Sequence, residues 1–348
     1  MKMDIQTKGG RIRFCAKILL CLLASILIVL IIALNTSPVI GALFIRSLFN
    51  HQPQKPPQDL EYADQVLTAK DIHYGNSEDM LLDLYIPQYA ETRCPLVIWV
   101  HGGAFVGGDK RDVTFFAEAL AFNGYAVAAI NYSRAPEFCY PAPVLQLGDA
   151  YSFLTGEDYI YKDKLDMQQV FIAGDSAGAH IASQFMLLQT NLEYRKAFLD
   201  ENECQTFPDP IPRQVLKGAL LYCGPYAVER FEDISNPLMQ FLVWQTGWAY
   251  FGEKNIISSP LADEIDIIQR VTRDFPPTFI TDGNAMSFAE HAKDLLAKLV
   301  ELEVPVQSLF FDDSPEKVLH EYQFELRSDA AQSSLEHTLD FLRTYTTH

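Results

Sequence analysis

Two short runs carry residue types suited to acyl-transfer chemistry. Ser176 sits in Gly174-Asp175-Ser176-Ala177-Gly178, after the apolar stretch Val170 to Ala173 and before Ala179-His180-Ile181-Ala182-Ser183. A serine between small residues, at a sharp turn from strand to helix, is held strained with its oxygen exposed, as a nucleophile requires. The second run, His101-Gly102-Gly103-Ala104-Phe105, follows the apolar stretch Leu96 to Val100. Its small residues leave backbone N–H groups free to point into a cleft. Gly102, Gly103 and Ala177 are therefore the expected donors to the negative oxygen of a tetrahedral intermediate, and losing one such donor costs about 3 kcal/mol. His101 is expected to orient this loop.

A serine of this kind needs a base, and in the strand-turn-helix arrangement the acid and then the histidine follow the serine in the chain. Of the eight histidines, His291, His320, His337 and His348 lie beyond the seventh expected strand. Only His320 falls in a loop just after the last one, and it is the expected base. His291 and His337 fall in helical stretches and are expected at the surface, while His348 is the terminal residue. The six cysteines include no C-x-x-C pair, so no metal site is expected, and the chemistry needs no cofactor.

These residues must be positioned by a sheet. Leu96 to Val100, Ala126 to Asn131, Val170 to Ala173, Gly218 to Tyr222, Thr278 to Thr281 and Val306 to Phe311 read as buried strands, too short for helices and mostly β-branched or aromatic. Residues 112–123, 144–154, 177–189, 287–301 and 328–345 have helical periodicity between or after them. The alternation predicts an α/β fold with a mostly parallel central sheet of about eight strands, flanked by helices. An antiparallel hairpin, Thr68 to Tyr74 and Leu81 to Ile86, opens the domain. Residues 191–213 and 227–269 break the rhythm and are expected to form a cap, where Trp244 and Trp248 line an acyl pocket or pack in the core. Asp109 to Asp112 reads as a solvated turn.

The N-terminus differs in composition. Lys2, Lys8, Arg11, Arg13 and Lys17 face Asp4 alone in a chain whose net charge is −18, and no charge appears between Lys17 and Arg46. Residues 1–17 read as a basic cytoplasmic tail and 18–37 as a membrane-spanning signal anchor, long enough for a hydrocarbon core of about 30 Å. Residues 38–59 read as a juxtamembrane helix and linker, and 60–348 as the catalytic domain. Basic residues before the span place the body on the extracytoplasmic side. Cleavage of this segment as a secretory signal, which would release the body, is the alternative. The acidic body, without clustered Lys and Arg, excludes nucleic acid as a partner.

The quoted residues resemble the α/β-hydrolase superfamily, and within it the hormone-sensitive-lipase-like esterases. The resemblance covers residues 60–345 and includes Arg134-Ala135-Pro136-Glu137, Tyr140-Pro141-Ala142, Ser259-Pro260-Leu261 and Phe275-Pro276-Pro277-Thr278-Phe279 besides the two runs above. It implies Ser176 as nucleophile, Gly102, Gly103 and Ala177 as oxyanion donors, His320 as base, and small esters of short or medium acyl chains as substrates. Amides or formamides on the same residues are the alternative. The acid departs from the family pattern: three residues after Gly283, where an aspartate is usual, stands Met286. Asp282, at the strand end, is the expected acid, with Glu290 the alternative and Asp312 and Asp313 more distant. The missing carboxylate also motivates a catalytically silent, membrane-anchored binding protein as a contrasting reading.

Overall fold

The computed structural model describes residues 3–49, 53–156, 159–204 and 207–347, with side chains from Phe14 onward. Residues 50–52 of the expected linker and His348 lie outside the described residues. Helix α1 (Met3–Thr36) runs through both the expected tail and the expected span. Its segment Phe14–Thr36 is long and apolar enough to cross a membrane and none of it is buried, which fits either a span or a signal sequence. After Ser37, Pro38 opens α2 (Val39–Leu48), at a position where its missing N–H costs no helical bond.

The body begins with the hairpin β1 (Val66–His73) and β2 (Leu81–Pro87), followed by β3 (Cys94–Val100), α3 (Thr114–Phe122), β4 (Ala126–Ile130), α4 (Ala142–Thr155), β5 (Leu165–Asp175) and α5 (Ala177–Thr190). Then come α6 (Leu192–Glu201), β6 (Leu216–Tyr222), α7 (Pro237–Phe251), the short α8 (Ala262–Ile265) and α9 (Ile267–Arg270), β7 (Thr278–Thr281), α10 (Ala289–Glu301), β8 (Val306–Leu309) and α11 (Asp329–Tyr345). The eight strands form one sheet in the order β1-β2-β4-β3-β5-β6-β7-β8. β1 and β2 pair antiparallel, as do β2 and β4, and every other pairing is parallel.

Alternation along the strands builds two cores. On β3, Leu96, Ile98 and Val100 join the core under α4, α5 and α10, while Val97 and Trp99 join the one under α3 and α11. Both faces are covered, so the central strands read as continuous apolar runs rather than as alternating ones. Parallel strands deliver their C-terminal ends to one edge of the sheet, where α/β proteins place their sites. Here that edge gathers the loops after β3, β5, β7 and β8, which carry His101, Ser176, Asp282 and His320.

The two segments expected as a cap have different fates. Helix α6, capped by Asn191 Oδ1 accepting from the Tyr194 amide, packs on the body against α5, and Arg195 donates to the Leu188 and Pro208 carbonyls. Helix α7, capped by Asn236 and ended by Gly252 in the left-handed region, packs against α2 and stands over the sheet edge. The turn at Asp109 to Asp112 is not simply solvated. Lys110 is buried, with its ammonium 2.7 Å from both Asp71 and Asp83, and so belongs to the scaffold.

Candidate active site

Ser176 bridges the end of β5 and the start of α5 with φ 50° and ψ −120°, a conformation a residue with a side chain rarely adopts. The surroundings enforce it: the Ser176 amide donates to the Tyr222 carbonyl on β6 at 2.8 Å, and its carbonyl accepts from Ala179 and His180 in the first turn of α5. Helix α5 also lies hard against β3, since a Cβ on Gly178 would overlap the Val100 carbonyl. Glycine there lets the helix start close enough to the sheet to aim the serine outward.

His320, in the loop after β8, brings Nε2 to 2.8 Å from Ser176 Oγ. Its other nitrogen, Nδ1, faces Ser287 Oγ at 3.2 Å, and Ser287 Oγ in turn donates to Asp282 Oδ1. One proton assignment satisfies the whole row: Ser176 O–H donates to Nε2, Nδ1–H donates to Ser287, and Ser287 O–H donates to Asp282. Asp282 thus reaches the histidine through a hydroxyl. It is fully buried, and burial pushes its carboxyl up to about 7 against hydrogen bonds from Ser287, Cys223 and the Gly283 and Phe288 amides. Burial also lowers His320 to about 4, which keeps the imidazole neutral and able to accept a proton at neutral pH. Glu290 is exposed on α10 and paired with Lys293 at 3.0 Å rather than with His320, and Asp312 pairs with the same lysine at 2.7 Å. Met286 adopts φ 51° with its side chain turned to solvent, and Ser287 beside it points inward.

The glycine loop differs from expectation at one amide. Gly102 N–H donates to Asp175 Oδ2 at 2.7 Å and is thereby committed to a carboxylate. Among the described residues, no acceptor engages the amides of Gly103, Ala104 or Ala177. Gly103, Ala104 and Phe105 all have positive φ, which turns successive N–H groups toward one side of the chain. Ala104 and Ala177 line the same cavity as Ser176 and His320. His101 orients the loop from below, with Nδ1 at 2.6 Å from the Gly102 carbonyl and its ring stacked on Tyr132.

Comparison with known proteins agrees with this geometry. Residues 82–299 match the model of the BD-FAE family. The chain belongs to the BD-FAE family. Across it, the chain is 34% identical over 134 residues to a probable isoprenylcysteine alpha-carbonyl methylesterase of Oryza sativa subsp. japonica, covering 38% of this chain and 31% of that one. It is 30% identical over 169 residues to kynurenine formamidase of Danio rerio, covering 47% of each. The matches span less than half the length of these curated relatives. In structure it is similar to esterase B from Lactobacillus Rhamnosis, with a TM-score of 0.68 at 20% identity, covering 88% of this chain and 92% of that one. It is also similar to the carboxylesterase EstE1 from a metagenomic library, with a TM-score of 0.64 at 18% identity, covering 91% and 100%. The fold is that of the α/β-hydrolases.

Several site residues were not apparent in the sequence. Glu321, next to His320, is hydrogen-bonded to Asp175, which also accepts from the Trp99 indole at 2.7 Å. Burial pushes Asp175 up to about 7 and Glu321 well above the usual carboxylate range, so the pair shares a proton held by Glu321. A Cβ on Gly102 would overlap both carboxyls, which is why glycine stands there. The cavity beside Ser176 is apolar, walled by Phe105, Phe231, Leu242, Trp244, Trp248 and Phe251. Trp244 and Trp248 therefore line the site, and so does Phe49, from the far end of α2. His291, expected at the surface, is buried, and its Nδ1 accepts from the Ala227 amide.

Cys223, Asp282 and His320 have ligand atoms within 4.8 Å of one another, the spacing a metal would need. Most of those atoms are already engaged, Asp282 Oδ2 excepted. His320 faces both serines, Asp282 accepts from Gly283 and Ser287, and burial holds the Cys223 thiol protonated. The donor set fits a proton relay better than a cation.

Proposed function

We propose that this chain is a serine hydrolase that cleaves carboxylic esters through an acyl-enzyme. The observation that carries it is the 2.8 Å contact of Ser176 Oγ with His320 Nε2, beside amides that have no acceptor among the described residues. Ser176 Oγ attacks the ester carbonyl as its proton passes to Nε2. Gly103, Ala104 and Ala177 N–H groups bind the oxygen that becomes negative, with Ala104 in the place expected of Gly102. The C–O bond to the alcohol breaks as Nε2 returns the proton to it. Water, deprotonated by the same nitrogen, then releases the acid. The Asp282–Ser287 row keeps the proton on Nδ1 and offsets the imidazolium charge. The apolar cavity takes the acyl chain. The kynurenine formamidases among the relatives favour formamides as a second substrate class. The basic residues before the span favour a body outside the cytoplasm.

The test is labelling of the full chain by a fluorophosphonate probe, together with p-nitrophenyl acetate and butyrate hydrolysis and an aryl formamide panel. Labelling and turnover are expected in the wild type and absent in Ser176→Ala. A wild type no more active than that variant on esters and amides, and unlabelled, would return the chain to the silent binding reading.

A further inference from the structure

We propose that α2, together with the outer side of α7, is a membrane-contacting rim through which the apolar pocket takes acyl esters directly from the lipid phase. This rests on the reading of α1 as a retained anchor and of the site as an ester hydrolase.

The helix α2 is two-faced in an unusual sense. One side is fixed to the body: Gly41, Ala42 and Ile45 are buried, and Arg46 donates to the Val106 and Ala135 carbonyls at 2.6 Å each and pairs with Glu137. The other side presents Val39, Ile40, Leu43, Phe44 and Leu48, between 42% and 56% exposed. A helix pinned in this way would show polar residues to water. An apolar stripe interrupted only by Ser47, whose hydroxyl is turned onto the Phe44 carbonyl, on a fixed helix is the pattern of an element lying in the boundary of a bilayer.

Three observations name lipid as the occupant rather than another protein. Only Ser37 and Pro38 separate α2 from the apolar helix α1, so whatever surrounds the end of α1 also bathes α2. The same junction is tied to the cap, since Gln245 donates to the Leu34 carbonyl and Lys254 to the Asn35 carbonyl. Helix α7 itself carries no charged residue, exposes Leu238, and ends near Trp248 with the Lys254 ammonium over its ring, a pairing suited to a lipid headgroup layer. The pocket is close by: Phe49, which lines it with Ser176, stands about 15 Å along the helix from Val39. An acyl chain leaving the bilayer beside α2 would pass from lipid to an apolar wall without crossing water.

The full chain would be reconstituted in phosphatidylcholine vesicles and assayed with p-nitrophenyl laurate dissolved in the bilayer and p-nitrophenyl acetate in the water phase. Leu43→Glu/Phe44→Glu, which touches neither the pocket nor the catalytic row, is expected to slow laurate roughly tenfold and to leave acetate within about twofold. If the charged pair depresses acetate as well, Leu43→Gln/Phe44→Gln decides, and the same split is expected. Equal loss on both esters in the glutamine pair, or no loss on either, would overturn the proposal. So would a second copy of the chain, rather than lipid, shielding α2 in crosslinking from position 44. Acetate turnover by a chain that washes off the vesicles overturns the anchor reading, and the rim with it. A chain that stays on the vesicles but turns over neither ester above Ser176→Ala overturns the hydrolase reading instead.

Discussion

Asp175 and Asp282 are near twins in position and opposites in wiring. Each closes a parallel strand, β5 or β7, on either side of β6, each is almost fully buried, and burial raises each to about 7. Asp175 is spent on structure: the Trp99 indole, the Gly102 amide and the Glu321 carboxyl surround it. Asp282 keeps one line open, through Ser287 to His320. Burial alone therefore does not mark a carboxylate for catalysis. What separates the two is whether a hydrogen-bond path leads to a group that changes charge during the reaction.

The contrast is sharpest where the charge is removed. Asp282→Asn should lower acylation about 10³ to 10⁴-fold with KM little changed, because the imidazolium loses its counter-charge. Single-turnover kinetics would show this, and a comparable loss in Glu290→Gln instead would reassign the acid. Asp175→Asn should cost less, about 10²-fold, through a displaced Gly102 and a disordered donor loop, and the variant should melt earlier than wild type. Ser287→Ala should fall between wild type and Asp282→Asn, about tenfold to a hundredfold, since the relay loses its bridge while the charge remains. A Ser287→Ala loss equal to that of Asp282→Asn would mean that the hydroxyl, not the charge, is what the base requires.

The pH profile separates the two carboxylates further. Asp282 is neutral below its raised value, so kcat/KM should fall as the pH drops through about 7, and this limb should vanish in Asp282→Asn. A limb near 4 in the wild type would assign it to His320 instead. The smallest effect concerns Glu321. Its folded carboxyl titrates well above its unfolded value near 4, so the native state holds the extra proton and stability falls as the pH rises between them. Glu321→Gln, whose amide can still donate to Asp175, should stay within about threefold in turnover and gain melting temperature at pH 8 but not at pH 4.

Much of this architecture is legible in the chain. Apolar runs of strand length gave each parallel strand a detectable signature, and the helices between them begin and end within a few residues of their periodic segments. Ser176 and His320 stand out because strand context and chain order are local properties. Hydrogen-bond partners are not. Nothing near Gly102 indicates that Asp175, far along the chain, takes its amide, and nothing at Met286 indicates that a left-handed turn passes the inward position to Ser287. The cap divided for a similar reason: residues 191–213 and 227–269 look alike in composition, yet among the described residues only the second lines the cavity with Ser176. Phe49 was hidden because a short helix ahead of the body carries no sequence sign of what it leans on.

Cys223 offers a way to watch this edge of the sheet move. The thiol is fully buried behind Asp282, accepts from the Glu321 amide, and is held protonated by its surroundings. A protonated, shielded sulfur is inert to alkylating reagents, so its labelling rate reports how often the strand ends at β6 and β7 part. A serine site with a silent cysteine in its floor carries its own gauge of breathing. An acyl chain filling the pocket should slow the gauge, and loss of the Asp282 network should speed it up.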